Sequence, residues 1–321
     1  MGGKDTPRIA GPNFFVVGAA KAGTTALYHH LNRHPQIYMS PVKEPNHFAS
    51  DIDVDRLRAT RRLGPISDLG RYLDGSMDRR YHMAYVTDRE DYLKLFKNVS
   101  GEIAAGEASA SYLYSKQAAA NIHAWSAKAR IVIMLRNPVD RVFSHYVMNL
   151  KRAVTAQSFV DAVRADGEHP EWGWGMRELY VELGMYHDQV KRFLDVFPSR
   201  SVKVYLYDDL INDPETLVRD LYAFLGVDPG HGIDITSRHN VGRTPRFKRF
   251  NHLLYRLGLY RFVRLRLPPG AKNRIKPLLF SREVGVSMTE EERSYFRDLY
   301  APDIERLSRL LQRDLKFWLQ T

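Results

Sequence analysis

The chain has 321 residues, 44% of them hydrophobic and 26% charged, which is enough apolar material for a substantial core and excludes a disordered or fibrous polymer. It contains no cysteine, so disulfides, thiolate metal sites and cysteine nucleophiles are excluded. The net charge of +11 is local: Arg238–Arg282 holds 13 Lys or Arg and no Asp or Glu, whereas the remainder holds 35 basic and 37 acidic residues.

The opening "MGGKDTPRIAGPN" is polar and lacks the apolar centre of a signal peptide, so residues 1–12 read as a flexible start. Its first six residues also fit a loose myristoylation pattern. No apolar run reaches the length of a membrane span, and the expected location is cytoplasmic. "NFFVVG" predicts a first strand, followed by a turn and a helix from about Gly23 to Arg33, stopped ahead of Pro35. "IYMSPVKEPNHF" reads as extended or loop, and Asp51–Asp91 as a weakly patterned surface layer. "GEIAAGEAS" is a second candidate strand. "ARIVIMLRNP" is a strand without alternation, buried on both faces as in a parallel sheet. A helix starts at Asn137 with Pro138 in its first position. "LYVELGMYHDQVKRFLDVF" reads as a helix, "SVKVYLYDDL" as a strand, and "DPETLVRDLYAFLG" as a helix capped by Asp213 and closed by Gly226. Residues 288–321 form C-terminal helices. This alternation predicts one α/β domain over residues 1–321: a P-loop-like three-layer sandwich with a central, mostly parallel sheet flanked by helices.

The stretch "FFVVGAAKAGTTALY" has the layout of a phosphate cradle, but not of an ATP site. Gly18 and Gly23 have the Walker spacing, yet Thr24 stands where the lysine belongs and Lys21 lies inside the loop. The backbone N–H groups of Ala22, Gly23, Thr24, Thr25 and Ala26 are placed to face an anion at a helix N-terminus. A lysine inside the loop suits a short diester-like tail better than a triphosphate with Mg²⁺. An ordinary strand–turn–helix with a surface lysine is the alternative. In "LRNPVDRVFS", Arg136 leaves a buried strand and Ser144 follows about two turns into the next helix. The guanidinium fork and the hydroxyl suit a second phosphate, although alone such an arginine can simply cap a neighbouring helix.

Together these segments resemble the sulfotransferases that use 3′-phosphoadenosine 5′-phosphosulfate (PAPS), whose "K-x-G-T-T" loop and "R-x-P-x-x-R-x-x-S" segment this chain matches. The resemblance implies that the loop holds the 5′-phosphosulfate, that Arg136 and Ser144 hold the 3′-phosphate, and that no metal is needed. It places Tyr207 near the adenine and Gly242 and Arg243 in a lid over the donor. In the glycan-modifying and bacterial branches a "K-E-P" segment carries a glutamate base, and Glu44 occupies that position in "SPVKEPNHF". A loop carboxylate paired with Lys43 is the alternative for Glu44. The histidine that follows in the family is Asn46 here, and His47 is given no role. The "G-E-K-[ST]-P-x-Y" stretch is "GEASASY", with Ala108 in place of lysine while Glu107, Ser109 and Tyr112 keep their places.

The resemblance implies transfer of a sulfuryl group from PAPS to a hydroxyl or amine of a carbohydrate, small-molecule or lipid-linked acceptor, releasing adenosine 3′,5′-bisphosphate. Lys21 and Glu44 are the expected catalytic residues. Two other classes stay open: a P-loop nucleotide kinase, and a non-enzymatic basic nucleic-acid-binding protein, the latter without any recognisable RNA or DNA module. The basic segment 238–282 carries Phe247, Phe250, Leu253, Leu254, Leu257 and Tyr260 on one arc of a helical wheel. That pattern fits a helix on an anionic membrane, which would make the protein peripheral there, or one packed on the core. A polyanionic acceptor would also suit the charge. His30 and His34 have no third ligand beside them and read as surface residues.

Overall fold

A computed structural model describes residues 11–59, 68–171, 173–232 and 286–320, together with the backbone of 244–245 and 280–281. The elements run β1 (Phe14–Gly18), α1 (Thr24–Leu31), β2 (Ile37–Met39), α2 (Val54–Ala59), α3 (Leu69–Asp74), α4 (Arg89–Lys94), β3 (Ala104–Ala108), α5 (Ser111–Tyr114), α6 (Ala118–Trp125) and β4 (Arg130–Leu135). They continue α7 (Pro138–Lys151), α8 (Phe159–Gly167), α9 (Tyr186–Val196), β5 (Val202–Leu206), α10 (Tyr207–Asn212), α11 (Pro214–Leu225) and the long helix Glu290–Leu311. Thr244–Pro245 and Phe280–Ser281 form a short antiparallel ladder. Gly242, Arg243 and the amphipathic arc from Phe247 to Tyr260 lie outside the described residues.

The sheet has five strands in the order β2-β3-β1-β4-β5, and every pairing is parallel. The sequence-based expectation of a mostly parallel sheet flanked by helices therefore holds, with all five strands parallel. Every residue of β1 and β3 is buried, as are Ile131–Leu135 of β4. A strand covered on both faces cannot alternate in polarity, which is why these runs are continuously apolar apart from Glu107. β1 has neighbours on both sides, β3 leading to one edge and β4 to the other, so the chain reverses its direction of travel between β1 and β4. Crevices at such reversals, beyond the carboxyl ends of the strands, are where these sheets bind ligands.

Four expectations change. The helix expected from Leu179 begins at Tyr186, after a 3₁₀ turn at Glu182–Gly184. Its start is set from far away: the Asp303 carboxylate accepts from the Tyr186 N–H at 2.6 Å and from the His187 N–H at 3.2 Å. β5 ends at Leu206, because Asp209 turns back to accept from the Leu206 N–H at 3.0 Å and starts α10. His34 is buried at 2% exposure rather than on the surface; its ring packs edge-on to Tyr222, and its Nε2 lies 3.0 Å from the Asp228 carbonyl. The weakly patterned stretch from Asp51 to Asp91 contains α2, α3 and the start of α4, the latter two capped by Asp68 and Asp88.

Candidate functional site

The loop after β1 is tied to β4 by a hydrogen bond from the Ala19 N–H to the Met134 carbonyl at 2.5 Å. Gly23 caps α1 with φ 90°. That left-handed conformation favours glycine, and a Cβ there would sit 2.9 Å from the Tyr207 ring. The first helical bond of α1 runs from the Leu27 N–H to the Gly23 carbonyl. The N–H groups of Thr24, Thr25 and Ala26 therefore stand outside the intrahelical ladder, and the first turn carries no acidic residue. The Ala22 N–H donates to the Ala19 carbonyl at 3.2 Å inside the turn, and its side chain is fully buried.

Lys21 has φ 70° and sends its ammonium 3.5 Å from the Met148 sulfur on α7. Burial, and then the positive charges of Arg152, Arg136, Lys151 and Arg141, push its pKa down to about 8. Among the described residues no carboxylate forms an ion pair with any of these five cations. Arg136 follows β4 directly; its guanidinium lies 4.7 Å from the centroid of the Tyr207 ring, and its Nη1 is 3.4 Å from the Lys21 carbonyl. Tyr207 is the first residue of α10, directly after β5. Ser144 is partly buried on α7, one turn before Met148 and so on the same helix face. The loop, Arg136 and Tyr207 thus come from the carboxyl ends of three adjacent strands, β1, β4 and β5.

Glu44 lies beyond β2, with its N–H bonded to the Ala108 carbonyl at the end of β3 at 2.8 Å. The 79–86 segment runs alongside it: the Lys43 N–H bonds the Tyr81 carbonyl, and the Ala84 N–H bonds the Glu44 carbonyl. This pairing brings His82 Nε2 to 3.9 Å from Glu44 Oε1, while Lys43 Nζ donates to the same oxygen at 2.6 Å. Burial would raise the Glu44 pKa, but Lys43, His82 and Arg152 outweigh it and hold the carboxyl below its usual range. Glu44 is therefore ionised at neutral pH. Arg152 links the two halves, since its charge acts on both Lys21 and Glu44.

The sequence reading missed His82 and Arg152. His82 lies 38 residues from Glu44 in an unpatterned stretch, and Arg152 is one of many exposed cations; only the backbone pairing and the length of α7 reveal them. His47 takes no part: it stacks on Tyr92 at 4.1 Å and bonds the Val86 carbonyl through Nδ1.

A sequence profile of the sulfotransferase family matches residues 12–229. The chain belongs to that family. It is 23% identical over 252 residues to carbohydrate sulfotransferase 15 of Homo sapiens, a match covering 68% of this chain and 44% of that protein. It is 27% identical over 221 residues to bifunctional heparan sulfate N-deacetylase/N-sulfotransferase 3 of Homo sapiens, covering 68% of this chain and 22% of that protein. The chain thus spans less than half the length of these two relatives. A solved sulfotransferase structure from Alicyclobacillus acidocaldarius is 30% identical, covers 96% of this chain and 98% of its own, and superposes with a TM-score of 0.68. Among the described residues no helix is long and apolar enough to cross a membrane.

Proposed function

We propose that the protein transfers the sulfuryl group of PAPS to a hydroxyl or amine of an acceptor, with Glu44 as base and Lys21 at the leaving phosphate. The observation that carries this reading is that the loop leading into the N-terminus of α1 carries Lys21, on which the charges of Arg152, Arg136, Lys151 and Arg141 all act, without an ion-paired carboxylate among the described residues. So many cations without an ion-pair partner suit a ligand with several negative charges at two positions, and PAPS carries a 3′-phosphate and a 5′-phosphosulfate. The loop amides of Gly23–Ala26 and Lys21 would hold the phosphosulfate, and Arg136 and Ser144 the 3′-phosphate. Tyr207, already stacked by Arg136, offers an aromatic face for the adenine. The acceptor oxygen or nitrogen attacks sulfur, the sulfur–oxygen bond to the 5′-phosphate breaks, and the acceptor proton passes to the Glu44 carboxylate. The other product is adenosine 3′,5′-bisphosphate. The names of the curated relatives favour a carbohydrate acceptor, and residues 1–321 would act as one catalytic domain, with cytoplasmic location.

Thermal unfolding with nucleotides tests the donor site. Adenosine 3′,5′-bisphosphate should raise the melting temperature, and ATP with Mg²⁺ should not. Arg136→Ala and Ser144→Ala should weaken adenosine 3′,5′-bisphosphate while barely changing adenosine 5′-phosphate. Equal losses for both nucleotides would mean a structural defect rather than a lost 3′-phosphate contact. Transfer of label from PAPS to oligosaccharides, glycolipids, phenols and amines would identify the acceptor class.

A further inference from the structure

Glu107 is a carboxyl group at the next-to-last position of β3, fully buried, with no ion pair among the described residues. A lone buried carboxylate is costly, and an apolar residue would fill a parallel strand at lower cost. Its contacts are specific. Tyr92 and Tyr112 donate their hydroxyls to Oε1 at 2.9 and 2.6 Å, and Ser109 donates to Oε2 at 2.6 Å.

A hydroxyl has one proton and two lone pairs. With their protons committed to Glu107, Ser109 and Tyr112 can only accept from other groups. Both do so on one stretch of backbone: Ser109 Oγ accepts from the Asn46 N–H at 3.2 Å, and the Tyr112 hydroxyl accepts from the Phe48 N–H at 3.3 Å. Asn46 then reaches back, donating through Nδ2 to the Glu44 carbonyl at 2.7 Å and to the Ala84 carbonyl at 2.9 Å; its Oδ1 accepts from Ser111 at 2.6 Å. Glu44 and Asn46 have φ 65° and 56°, a conformation that non-glycine residues hold only where their surroundings over-determine it.

We propose that Glu107 is a positioning residue for sulfuryl transfer: its carboxylate orients the Ser109 and Tyr112 hydroxyls, and these pin the left-handed backbone that presents Glu44. The proposal rests on the reading of Glu44 as the base. Only the ionised carboxylate accepts all three hydroxyl protons. Once protonated, Glu107 carries a proton of its own to donate, and one hydroxyl must turn away. The groups facing Glu107 are Tyr92 from α4, Tyr112 from α5, Ser109 beyond its own strand and the Glu44 charge. Burial pushes the Glu107 carboxyl up to about 7 against the pull of the three hydroxyls, and Glu44 adds to the rise. Burial keeps both tyrosines protonated far above that pH. Glu44 lies below the usual carboxylate range and His82 below the usual imidazole value, so neither produces a transition at pH 7. The clamp should therefore tighten as pH rises through about 7.

Hydrogen–deuterium exchange over residues 42–50, corrected for intrinsic rates, tests this without any acceptor. In the wild-type protein, protection at Asn46 and Phe48 should rise through about pH 7. Glu107→Gln should abolish that pH dependence, and the milder Ser109→Ala should expose Asn46 while leaving β1 and α1 protected. With the acceptor found by the labelled-PAPS screen, both variants should lose up to about 10²-fold in kcat, the scale of a small misplacement, with KM for PAPS unchanged. Wild-type protection in both variants at every pH would overturn the proposal, as would a loosened loop with unchanged kcat. If Glu44→Gln itself transfers at the wild-type rate, the base assignment fails, and the exchange data still report on the clamp.

Discussion

Glu44→Gln should lower turnover by about 10²–10⁴-fold, the usual contribution of a general base, while adenosine 3′,5′-bisphosphate binds as before. The amide keeps the shape of the side chain and can still accept from Lys43, but it cannot take the acceptor proton. The carboxyl sits below its usual range, so it is in the basic form throughout neutral pH and would fail only in acid. The same cations that keep it ionised weaken it as a base. Lys43 donates to Oε1 at 2.6 Å, which leaves Oε2 as the oxygen available to an acceptor. Lys43→Ala should then raise the Glu44 pKa and shift the acid limb of the rate profile upward, without abolishing transfer. A Gln variant that transfers at the wild-type rate would place the base elsewhere.

The loop after β1 and the Arg136 segment were legible because their signals are local. An apolar run, a glycine, two threonines and a proline at the first helical position each act within a few residues. The Asn137 cap shows the same: its side chain accepts from the Val139 N–H at 3.0 Å. The Glu44 side of the candidate site was legible only as a resemblance, since its geometry is made between distant segments. His82 reaches Glu44 through pairing of the 79–86 and 41–46 backbones, and α9 begins where Asp303 caps it. Glu107 shows the limit most clearly. A carboxylate inside "AAGEA" looks like a polar interruption of a strand, and only the positions of Tyr92, Ser109 and Tyr112 turn it into an acceptor for three hydroxyls. The basic segment was equally visible in sequence, but composition alone does not distinguish a membrane face from a packed one.

Lys21→Ala should lower turnover by a factor on the order of 100 or more, the scale of losing one preorganised donor aimed at developing charge. Its position explains why a single lysine carries so much. The side chain leaves a left-handed loop residue and spans to Met148, so the ammonium is held against α7 rather than free in solvent. Arg136 and Arg152 flank it and disfavour its charge, and burial disfavours it further, which together bring its pKa to about 8. In the protein without donor, Lys21 is thus charged below about pH 8 and neutral above it. The negative charge of an arriving anion outweighs both effects and favours the charged form, so binding the donor should take up a proton at alkaline pH. The sign follows: kcat/KM for PAPS should fall as pH rises past about 8. Lys21→Arg keeps a charge that does not titrate in this range, and its profile should lose the alkaline limb while retaining more activity than Lys21→Ala. A wild-type profile that stays flat through pH 9, or a correctly folded Ala variant with near-normal turnover, would mean that the ammonium does not meet the leaving phosphate. The loop amides and Arg136 would then have to carry the charge between them.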